Sequence, residues 1–325
     1  MVLVTGATGF LGHHLIPLLR QAGYPVRALV RPTSDVTFLQ QHDVELAYAN
    51  DISDYAAVRA ACEGCTAVIH AAGQFRFWGD LPGFWQTNVE GTAAVLEAAV
   101  QAGIQRIVHV STIAVVGHIP PSTVIDENVF CQPQDHYQRT KLEGEKLALS
   151  FHQSRQAPVV IVRPGAFYGP WGRYAFNRLF FEEPLRGWRI KVDGGKHVIF
   201  PVYAADVARG ILLAMQHGRV GEIYNICGHT FTHNQGNDVV SDLARISRWR
   251  MNIPRWGVLA LAHAWTFISR YTGREPFYPI NLRLYVFQDW TVSIAKAQRE
   301  LGFEPTPFEE GARETLAWYE AQKIV

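Results

Sequence analysis

Short apolar runs alternate with longer segments of helical periodicity through the first half of the chain. The runs are rich in valine, isoleucine and alanine, which is typical of strands buried on both faces of a parallel sheet. Two intervening segments, residues 84–102 and 137–152, repeat apolar residues at helical spacing. The pattern predicts an α/β fold with helices on both faces of the sheet. The predicted strands are residues 2–4, 26–30, 44–49, 67–71, 104–110, 159–162 and, farther along, 222–226.

Three glycines follow the first predicted strand at the spacing G-x-x-G-x-x-G, and a predicted helix begins at the third of them. A strand, a glycine turn and a helix N-terminus form the arrangement that binds a dinucleotide pyrophosphate. Gly6 permits the tight turn, Gly9 lets backbone N–H groups approach the phosphates, and Gly12 lets the helix pack on the sheet. Pro17 lies inside this helix and predicts a kink. The turn and the strands together predict a Rossmann-like, doubly wound parallel sheet.

The pattern changes after Pro164, where aromatic residues, glycine and arginine become frequent. We expect an NAD(P)-binding Rossmann domain at residues 1–165, with later sheet elements near 200–228. Residues 166–325 are expected to form mainly a smaller C-terminal substrate-binding lobe that is interleaved with the first domain. Helices are predicted at 206–216, 238–246 and 309–322, and a polar loop at 228–236.

Residues 256–271 form a strongly apolar segment. Its core, 256–268, is shorter than the roughly 20 apolar residues needed to span a bilayer, so no integral membrane segment is predicted. A buried helix of the lobe is the favoured interpretation. Peripheral contact with a membrane is the alternative.

Composition narrows the classes of function. The chain has 325 residues, 48% of them hydrophobic, which is enough for a domain and a lobe. Its net charge of +1 gives no electrostatic argument for binding nucleic acid. The first strand begins at Met1 without a signal peptide, so a cytoplasmic protein is expected. Cys62 and Cys65 have neither a second pair nor neighbouring histidines, and no metal site is predicted.

Tyr137 and Lys141 lie four residues apart in a predicted helix and therefore share one face. An ammonium near a phenol favours the phenolate, so Tyr137 could exchange a proton near neutral pH. Ser111 and Thr112 follow a predicted strand, and ligands bind at the carboxyl ends of parallel strands. These residues predict proton transfer at the edge of the sheet that carries the glycine turn. An exposed helical pair and a capping hydroxyl are the structural alternatives.

With these motifs the chain resembles the extended short-chain dehydrogenase/reductase family, the NAD(P)-dependent epimerase/dehydratase group. The resemblance covers nearly the whole chain. It is closest to the branch that contains dihydroflavonol 4-reductases, 3β-hydroxysteroid dehydrogenases and hopanoid-associated epimerase-like proteins. The stretches that carry it are residues 5–12, 51–52, 70–78, 88–92, 110–117, 137–141, 163–165, 168–170 and 292–305.

The resemblance implies roles for individual residues. Tyr137 is expected to be the general acid/base, and Lys141 to lower its pKa and bind the nicotinamide ribose. Thr112 takes the place of the usual catalytic serine, with Ser111 as the alternate. Asn88 completes the catalytic set from a loop that leads into its helix, or else caps that helix. Besides Tyr137 and Lys141, the expected cofactor contacts are Gly6, Thr8, Gly9, Phe10, Leu11, Arg31, Asp51, Ile52, Ala71, Ala72, Gly73, Pro164 and Ala166.

The second strand bears on the choice between the two dinucleotides. NAD enzymes of this fold commonly have an acidic residue at its end, which binds the ribose 2′-hydroxyl. Here Val30 holds that position and Arg31 follows it. An arginine can pair with a 2′-phosphate through two parallel hydrogen bonds. NADP(H) is therefore the expected cofactor, and NAD(H) is the alternative if Arg31 is an ordinary surface residue.

Aromatic residues that directly follow the cofactor motifs predict an apolar substrate cleft. Such a cleft suits a flat or lipid-like ketone better than a sugar nucleotide, whose diphosphate usually needs arginine or lysine. Four arginines of the lobe, at 173, 178, 186 and 189, leave the sugar nucleotide open. The expected substrate contacts are Phe75, Phe77, Trp78, Thr112 and Tyr168.

Three functions follow from these residues. The favoured one is an NADP(H)-dependent oxidoreductase that interconverts a ketone and a secondary alcohol on a flavonoid-, steroid- or lipid-like small molecule. The second is a nucleotide-sugar epimerase or dehydratase with tightly bound NAD, although Ile113 stands beside Thr112 where a dehydratase normally has an acid. The third is a non-catalytic cofactor-binding protein. The resemblance also allows a homodimer through the helices at 84–102 and 137–152.

Overall fold

A seven-stranded parallel sheet is the centre of the fold, which a computed structural model describes for residues 1–324. The strands in chain order are β1 (Val2–Thr5), β2 (Val26–Val30), β3 (Glu45–Tyr48), β4 (Ala67–His70), β5 (Arg106–Val110), β6 (Val124–Ile125), β7 (Val159–Pro164), β8 (Ala166–Tyr168), β9 (Ile190–Val192), β10 (Val198–Ile199), β11 (Pro201–Tyr203), β12 (Ile223–Ile226), β13 (Phe231–Thr232), β14 (Met251–Ile253) and β15 (Thr291–Val292). The central sheet has the order β12-β7-β5-β4-β1-β2-β3, and every neighbouring pair in it is parallel. The strand order reverses at β1, which confirms the predicted doubly wound sheet.

Helices cover both faces of this sheet. In chain order they are α1 (Gly12–Gln21), α2 (Thr37–Gln41), α3 (Tyr55–Cys62), α4 (Leu81–Trp85), α5 (Gly91–Gln101), α6 (His136–Arg155), α7 (Glu183–Leu185), α8 (Ala204–His217), α9 (His233–Leu243), α10 (Arg255–Thr272), α11 (Arg283–Val286), α12 (Ala295–Leu301) and α13 (Phe308–Ala321). A π-helical turn, Gln86–Glu90, joins α4 to α5 without a break, and 3-10 turns lie at Ile113–Val116, Asp193–Gly195 and Ile280–Leu282.

The strands bury alternate residues on opposite faces, because successive side chains of a strand point to opposite sides. In β1, Val2 and Val4 pack with α1, α8 and α12, whereas Leu3 packs with α3, α5 and α6. All three side chains are essentially inaccessible to water. Because helices cover both faces of the sheet, the space left for ligands lies outside the carboxyl ends of the strands.

The region after β7 supplies two further clusters of aromatic and aliphatic side chains. The first, which contains Phe181 and Tyr319, lies between α9 and α13. The second, which contains Phe77 and Val258, packs α10 against the segment that follows β4. The chain then returns to the sheet, where α12 packs on α8 and β12.

Helix α1 continues through Pro17. Two local predictions differ from the structure. Residues 233–236 are not a loop, because Thr232 and Gln235 form a capping box that begins α9 at His233. Helix α10 is not buried in the lobe, since much of its apolar surface is exposed to solvent. No helix of residues 1–324 has the length and hydropathy needed to cross a membrane.

Candidate active site

The three glycines after β1 have three different surroundings. Gly6 has a φ of 75°, and a Cβ there would come within 2.8 Å of the Ala71 and Ala72 backbone. A Cβ on Gly12 would lie 1.9 Å from the Ala7 carbonyl oxygen, so the start of α1 packs directly on the turn. Gly9 is exposed, and the nearest atom to its Cβ would be the Gly6 oxygen at 3.2 Å. The open space is thus at Gly9, where a phosphate can approach the backbone.

A buried polar link ties the glycine turn to the end of β4. The Thr5 hydroxyl is hydrogen-bonded to His70 Nδ1 at 2.8 Å and accepts a hydrogen bond from the Ala72 amide at 3.1 Å. The other ring nitrogen of His70 is 3.0 Å from the Thr92 hydroxyl of α5. Burial, followed by the nearby Lys141 charge, lowers the pKa of His70 to about 3, so the ring is neutral at physiological pH. Sequence reasoning gave His70 no role, yet it positions two of the predicted cofactor segments.

Tyr137 lies at the start of α6, whose N-terminus is capped by the Asp135 carboxylate. Burial raises the pKa of the Tyr137 phenol, a hydrogen bond with the Thr112 side chain lowers it, and the nearby Asp135 raises it again. The net direction is upward, so the phenol is protonated near neutral pH. Lys141 is not among the causes of this shift.

Thr112 supplies the hydroxyl whose hydrogen bond lowers the pKa of the Tyr137 phenol. Its Oγ1 also accepts the Ala114 amide at 3.2 Å and so caps the 3-10 turn that follows β5. Ser111 Oγ is buried and has no hydrogen-bond partner among the described residues. Of the two predicted hydroxyls, Thr112 is therefore the one that acts on the pKa of the phenol.

Lys141 is buried one helical turn after Tyr137. Its Nζ donates to the Val110 carbonyl oxygen at the end of β5 over 2.7 Å. Burial lowers the pKa of Lys141 from 10.5 to about 8, while the Glu145 carboxylate opposes this shift. A side chain on Gly73 would place its Cβ 3.7 Å from Nζ and 3.3 Å from Asn88 Oδ1. Because Gly73 is exposed and has no side chain, a recess remains between it, Lys141 and Asn88. We call this recess the cradle, and a Cβ on Gly73 would begin to fill it.

Asn88 holds this cradle together without facing an open site. Its Oδ1 accepts the Gln74 amide at 2.8 Å, and its Nδ2 donates to the Gln74 carbonyl at 3.2 Å and to Thr140 Oγ1 at 3.0 Å. The residue lies within the π-helical turn between α4 and α5, not in a loop before a helix and not at a cap. We therefore describe Asn88 as a positioning residue, because its whole amide group is used to fix the segment after β4 against α6.

Burial of the charged Lys141 ammonium lowers the free energy of unfolding. Its pKa is about 8 in the fold and about 10.5 in an unfolded chain, so below pH 8 both states are charged and only the fold carries the cost of burial. That cost disappears as the pH rises through this window. After allowance for the lost bond to Val110, we expect Lys141→Met to raise the free energy of unfolding by about 1–2 kcal/mol at pH 7.

Denaturant unfolding at pH 7 and near pH 10 checks this expectation. The advantage of Lys141→Met should shrink at the higher pH, because wild-type Lys141 loses its proton there. Lys146→Met is the matched control, since Lys146 is exposed and paired with Glu143. A stability difference between Lys141→Met and wild type that does not change with pH would contradict the burial of a charged Lys141.

The remaining predicted cofactor residues surround the turn and the cradle. Arg31 is exposed directly after β2 and has no ion pair with a described residue. Asp51 accepts hydrogen bonds from the Ser53 amide and hydroxyl at 2.9 and 2.6 Å, and Ile52 packs on Gly91. The others lie at the carboxyl ends of β1, β4 and β7: Thr8, Phe10, Leu11, Ala71, Ala72, Pro164 and Ala166.

Aromatic rings adjoin the Tyr137 ring. The Phe75 ring lies 4.8 Å from the Tyr137 ring, and Phe77 lies 5.2 Å from Phe75. The Tyr174 ring stacks on Phe77 at 5.6 Å. Trp78, the next residue predicted to contact substrate, is half-buried. Phe75 thus connects the Tyr137 ring to an aromatic wall.

Tyr168 is not part of this wall. It is 1% exposed and packs among Phe176, Phe181 and Tyr203 in the core of the lobe. Tyr168 was predicted to contact substrate, but side chains alternate along β8, so its middle residue points the other way. That residue, Phe167, lies 5.4 Å from Phe10 of the glycine turn. Phe167 is a candidate cofactor neighbour that the sequence motif did not distinguish from Tyr168.

The residues present fit a nicotinamide dinucleotide. An open glycine turn stands at the N-terminus of α1, whose first turn has no acidic residue to repel a phosphate. The cradle at Gly73 lies beside a buried ammonium, and a protonated phenol lies on the same helix as that ammonium. Within residues 1–324, no group of three or more His, Cys, Asp or Glu side chains is arranged to hold a metal ion. The site can therefore bind a dinucleotide and move a proton at Tyr137.

The chain is similar to known proteins along almost its whole length. A model of the NAD dependent epimerase/dehydratase family matches residues 2–227. Sterol demethylase protein B of Methylococcus capsulatus is 31% identical over 99% of this chain and 99% of its own length. The 4-hydroxy-2-methyl-3-oxo-4-farnesyl-3,4-dihydroquinoline-1-oxide ketoreductase of Stigmatella aurantiaca is 31% identical over 92% of this chain and 90% of its own. The crystal structure of dTDP-glucose 4,6-dehydratase from Streptomyces venezuelae with NAD bound has a TM-score of 0.80 and 27% identity, and the match covers 99% of this chain and 97% of that one.

Proposed function

Because the chain belongs to the NAD dependent epimerase/dehydratase family, and is an NAD(P)-dependent enzyme of the extended short-chain dehydrogenase/reductase type, we propose that it reduces a ketone on an apolar substrate with NADPH. The family contains both reductases and sugar-nucleotide dehydratases, so family membership alone does not choose between them. The choice rests on the surroundings of the Tyr137 hydroxyl.

The groups around the Tyr137 hydroxyl are the Thr112 hydroxyl and aromatic rings. The nearby Asp135 carboxylate is already hydrogen-bonded to other protein groups. Ile113 and Ala114, directly after Thr112, are buried and apolar. Asp135 accepts the Gln138 amide at 2.7 Å and the Tyr285 hydroxyl at 2.9 Å. Elimination of water from a sugar needs an acid that can protonate the departing hydroxyl. A reductase needs only the phenol and its partner, and this is the observation that carries the proposal.

The residues of the site then have separate tasks. When bound, the nicotinamide ring supplies the hydride. Tyr137 donates its phenolic proton to the substrate oxygen, and its raised pKa keeps that proton in place until it is needed. Thr112 orients the phenol and donates a hydrogen bond to the same oxygen. The Lys141 ammonium would hold the ribose of the cofactor, and Asn88 fixes the segment after β4 that would receive it.

The proposed substrate class follows from a cavity of about 480 Å³ next to the aromatic wall. Its lining includes Phe77, Tyr174, Leu179, Trp265 and Ile268, and Phe75 links it to Tyr137. Three of the lobe arginines that could bind a diphosphate are engaged, whereas Arg274, which lines the cavity, has no ion pair with a described residue. Arg173 and Arg186 pair with Glu182, and Arg178 pairs with Glu183. A flat or lipid-like ketone fits such a cavity better than a sugar nucleotide does.

Steady-state assays test the proposal. Purified protein is incubated with NADPH and, separately, with a keto steroid, a dihydroflavonol and dTDP-glucose. We expect oxidation of NADPH with at least one of the apolar ketones and none with dTDP-glucose. Conversion of dTDP-glucose without net oxidation of added cofactor, by protein that retains NAD through purification, would instead identify a dehydratase or epimerase.

The preference for NADPH rests on Arg31. If its guanidinium pairs with the 2′-phosphate, Arg31→Ala should raise the KM for NADPH about tenfold, the usual effect of losing a charge-assisted hydrogen bond. The KM for NADH should not change, since NADH has no 2′-phosphate. Arg299→Ala, at an exposed position of α12, is the control for loss of one surface charge. Equal KM values for the two cofactors that Arg31→Ala leaves unaltered would contradict the preference.

A further inference from the structure

Helix α10 presents an apolar face to solvent. Val258, Ala262 and Ser269 form its buried stripe. On the opposite side of the helix, Trp256 is 75% exposed and Tyr271 is 78% exposed. Between them Leu261, Phe267 and Ile268 are exposed as well. We call these five exposed side chains the apolar face of α10. A continuous surface of large apolar groups on the outside of a protein marks a site of interaction.

Arginines outnumber acidic residues around this face, which Asp242 and Glu275 adjoin in the sequence. Residues 243–274 contain six arginines and no aspartate or glutamate, in a chain whose net charge is +1. Arg245, Arg255 and Arg274 are exposed and make no ion pair with a described residue. Arg248 pairs with Asp242, and Arg250 is buried. The region is therefore positive as well as apolar.

We propose that α10 docks on the surface of an anionic lipid bilayer, with its apolar face in the interfacial region and the flanking arginines near the headgroups. Tryptophan and tyrosine favour this depth, because their rings are apolar and carry one polar group. Helices with tryptophan, phenylalanine and leucine on one face and basic residues nearby bind bilayers in this way. A second copy of the chain is a poorer occupant. In a twofold pair through this face the arginines would oppose arginines.

Docking of α10 would bring the cavity close to the bilayer. This step of the inference rests on the proposed function. Trp265 and Ile268 of α10 line the cavity together with Phe77 and Tyr174. Phe77 adjoins Phe75, and Phe75 adjoins Tyr137. An apolar ketone dissolved in the bilayer would thus enter beside α10 and reach the phenol along aromatic rings. The substrate class is accordingly a membrane-dissolved, lipid-like ketone.

Vesicle binding tests the docking without reference to activity. The full chain is mixed with vesicles of phosphatidylcholine, alone or with phosphatidylglycerol, and the bound fraction is measured by sedimentation. We expect binding to the anionic vesicles that weakens at high salt. Phe267→Glu should lower the partition coefficient about tenfold or more, since it adds a carboxylate to the apolar face. Phe130→Glu is the matched control and should not change it, because it adds the same carboxylate at a residue that is 79% exposed but is not part of α10.

Three results would overturn the proposal. The first is no binding of the wild-type chain to anionic vesicles, and the second is equal binding by Phe267→Glu. The third is a dimer, detected by sedimentation velocity without lipid, that Phe267→Glu dissociates, because the face would then be an interface between two copies. Phe267 does not line the cavity, so Phe267→Glu should reduce a water-soluble ketone with NADPH at the wild-type rate. Vesicle binding without reduction of any ketone would refute the proposed function and leave the docking standing.

Discussion

Replacing Tyr137 with phenylalanine is expected to lower kcat about a thousandfold, which is within the usual range for loss of a general acid. The variant lacks only the phenolic oxygen. Its ring still lies against Phe75, where the two centroids are 4.8 Å apart, so the aromatic wall is retained. Thr112 remains as a hydrogen-bond donor but has no readily transferred proton at neutral pH. The loss should therefore appear in the chemical step.

Both NADPH binding and turnover must be measured to interpret Tyr137→Phe. Fluorescence titration with NADPH should give a Kd close to that of the wild type, because the glycine turn and Lys141 are untouched. Single-turnover oxidation of NADPH should show the full loss of rate. Tyr55→Phe is the matched control, since Tyr55 of α3 is exposed and its hydroxyl bonds Gln101 of α5. Turnover retained in Tyr137→Phe would remove Tyr137 from the mechanism and with it the proposed proton transfer.

The sheet could be predicted because its signal is local. Strands buried on both faces need continuous apolar runs, and the predicted runs at 26–30 and 67–71 coincide with β2 and β4 to within one residue. The glycine turn is equally local, since the tight turn at Gly6 requires a positive φ that other residues rarely adopt. Such features depend on a few neighbouring residues and on the geometry of a single element.

The parts of the site that sequence reasoning missed depend on contacts between distant segments. Phe167 and Tyr168 are neighbours in β8, and only the pairing of β8 with β11 decides which ring faces the glycine turn. Asn88 is a positioning residue because its amide group is hydrogen-bonded to both Gln74 and Thr140, which lie in distant segments. The apolar face of α10 was expected to be buried, since hydrophobicity alone does not show whether another element covers a helix.

The effect of Gly9→Val and Gly12→Val should separate the binding role from the packing role of the glycine turn. The Cβ of Gly12→Val would lie 1.9 Å from the Ala7 oxygen, which is backbone and cannot move aside cheaply. We expect the free energy of unfolding to fall by about 3 kcal/mol or more. The Cβ of Gly9→Val would meet only the Gly6 oxygen at 3.2 Å, a tight contact that a shift of a few tenths of an ångström relieves. The fold of Gly9→Val should therefore stay close to that of the wild type.

Gly9→Val should nonetheless weaken NADPH binding by about a hundredfold, because its methyl groups occupy the approach of phosphate to the backbone and remove charge-assisted hydrogen bonds. Thermal unfolding and fluorescence titration on the same samples check both halves of the expectation. Gly12→Val loses stability first and binding as a consequence, whereas Gly9→Val loses binding alone. If Gly9→Val bound NADPH normally, the dinucleotide would not lie at this turn. The helix N-terminus of α1 would then serve only the fold, and the redox site would need another phosphate anchor.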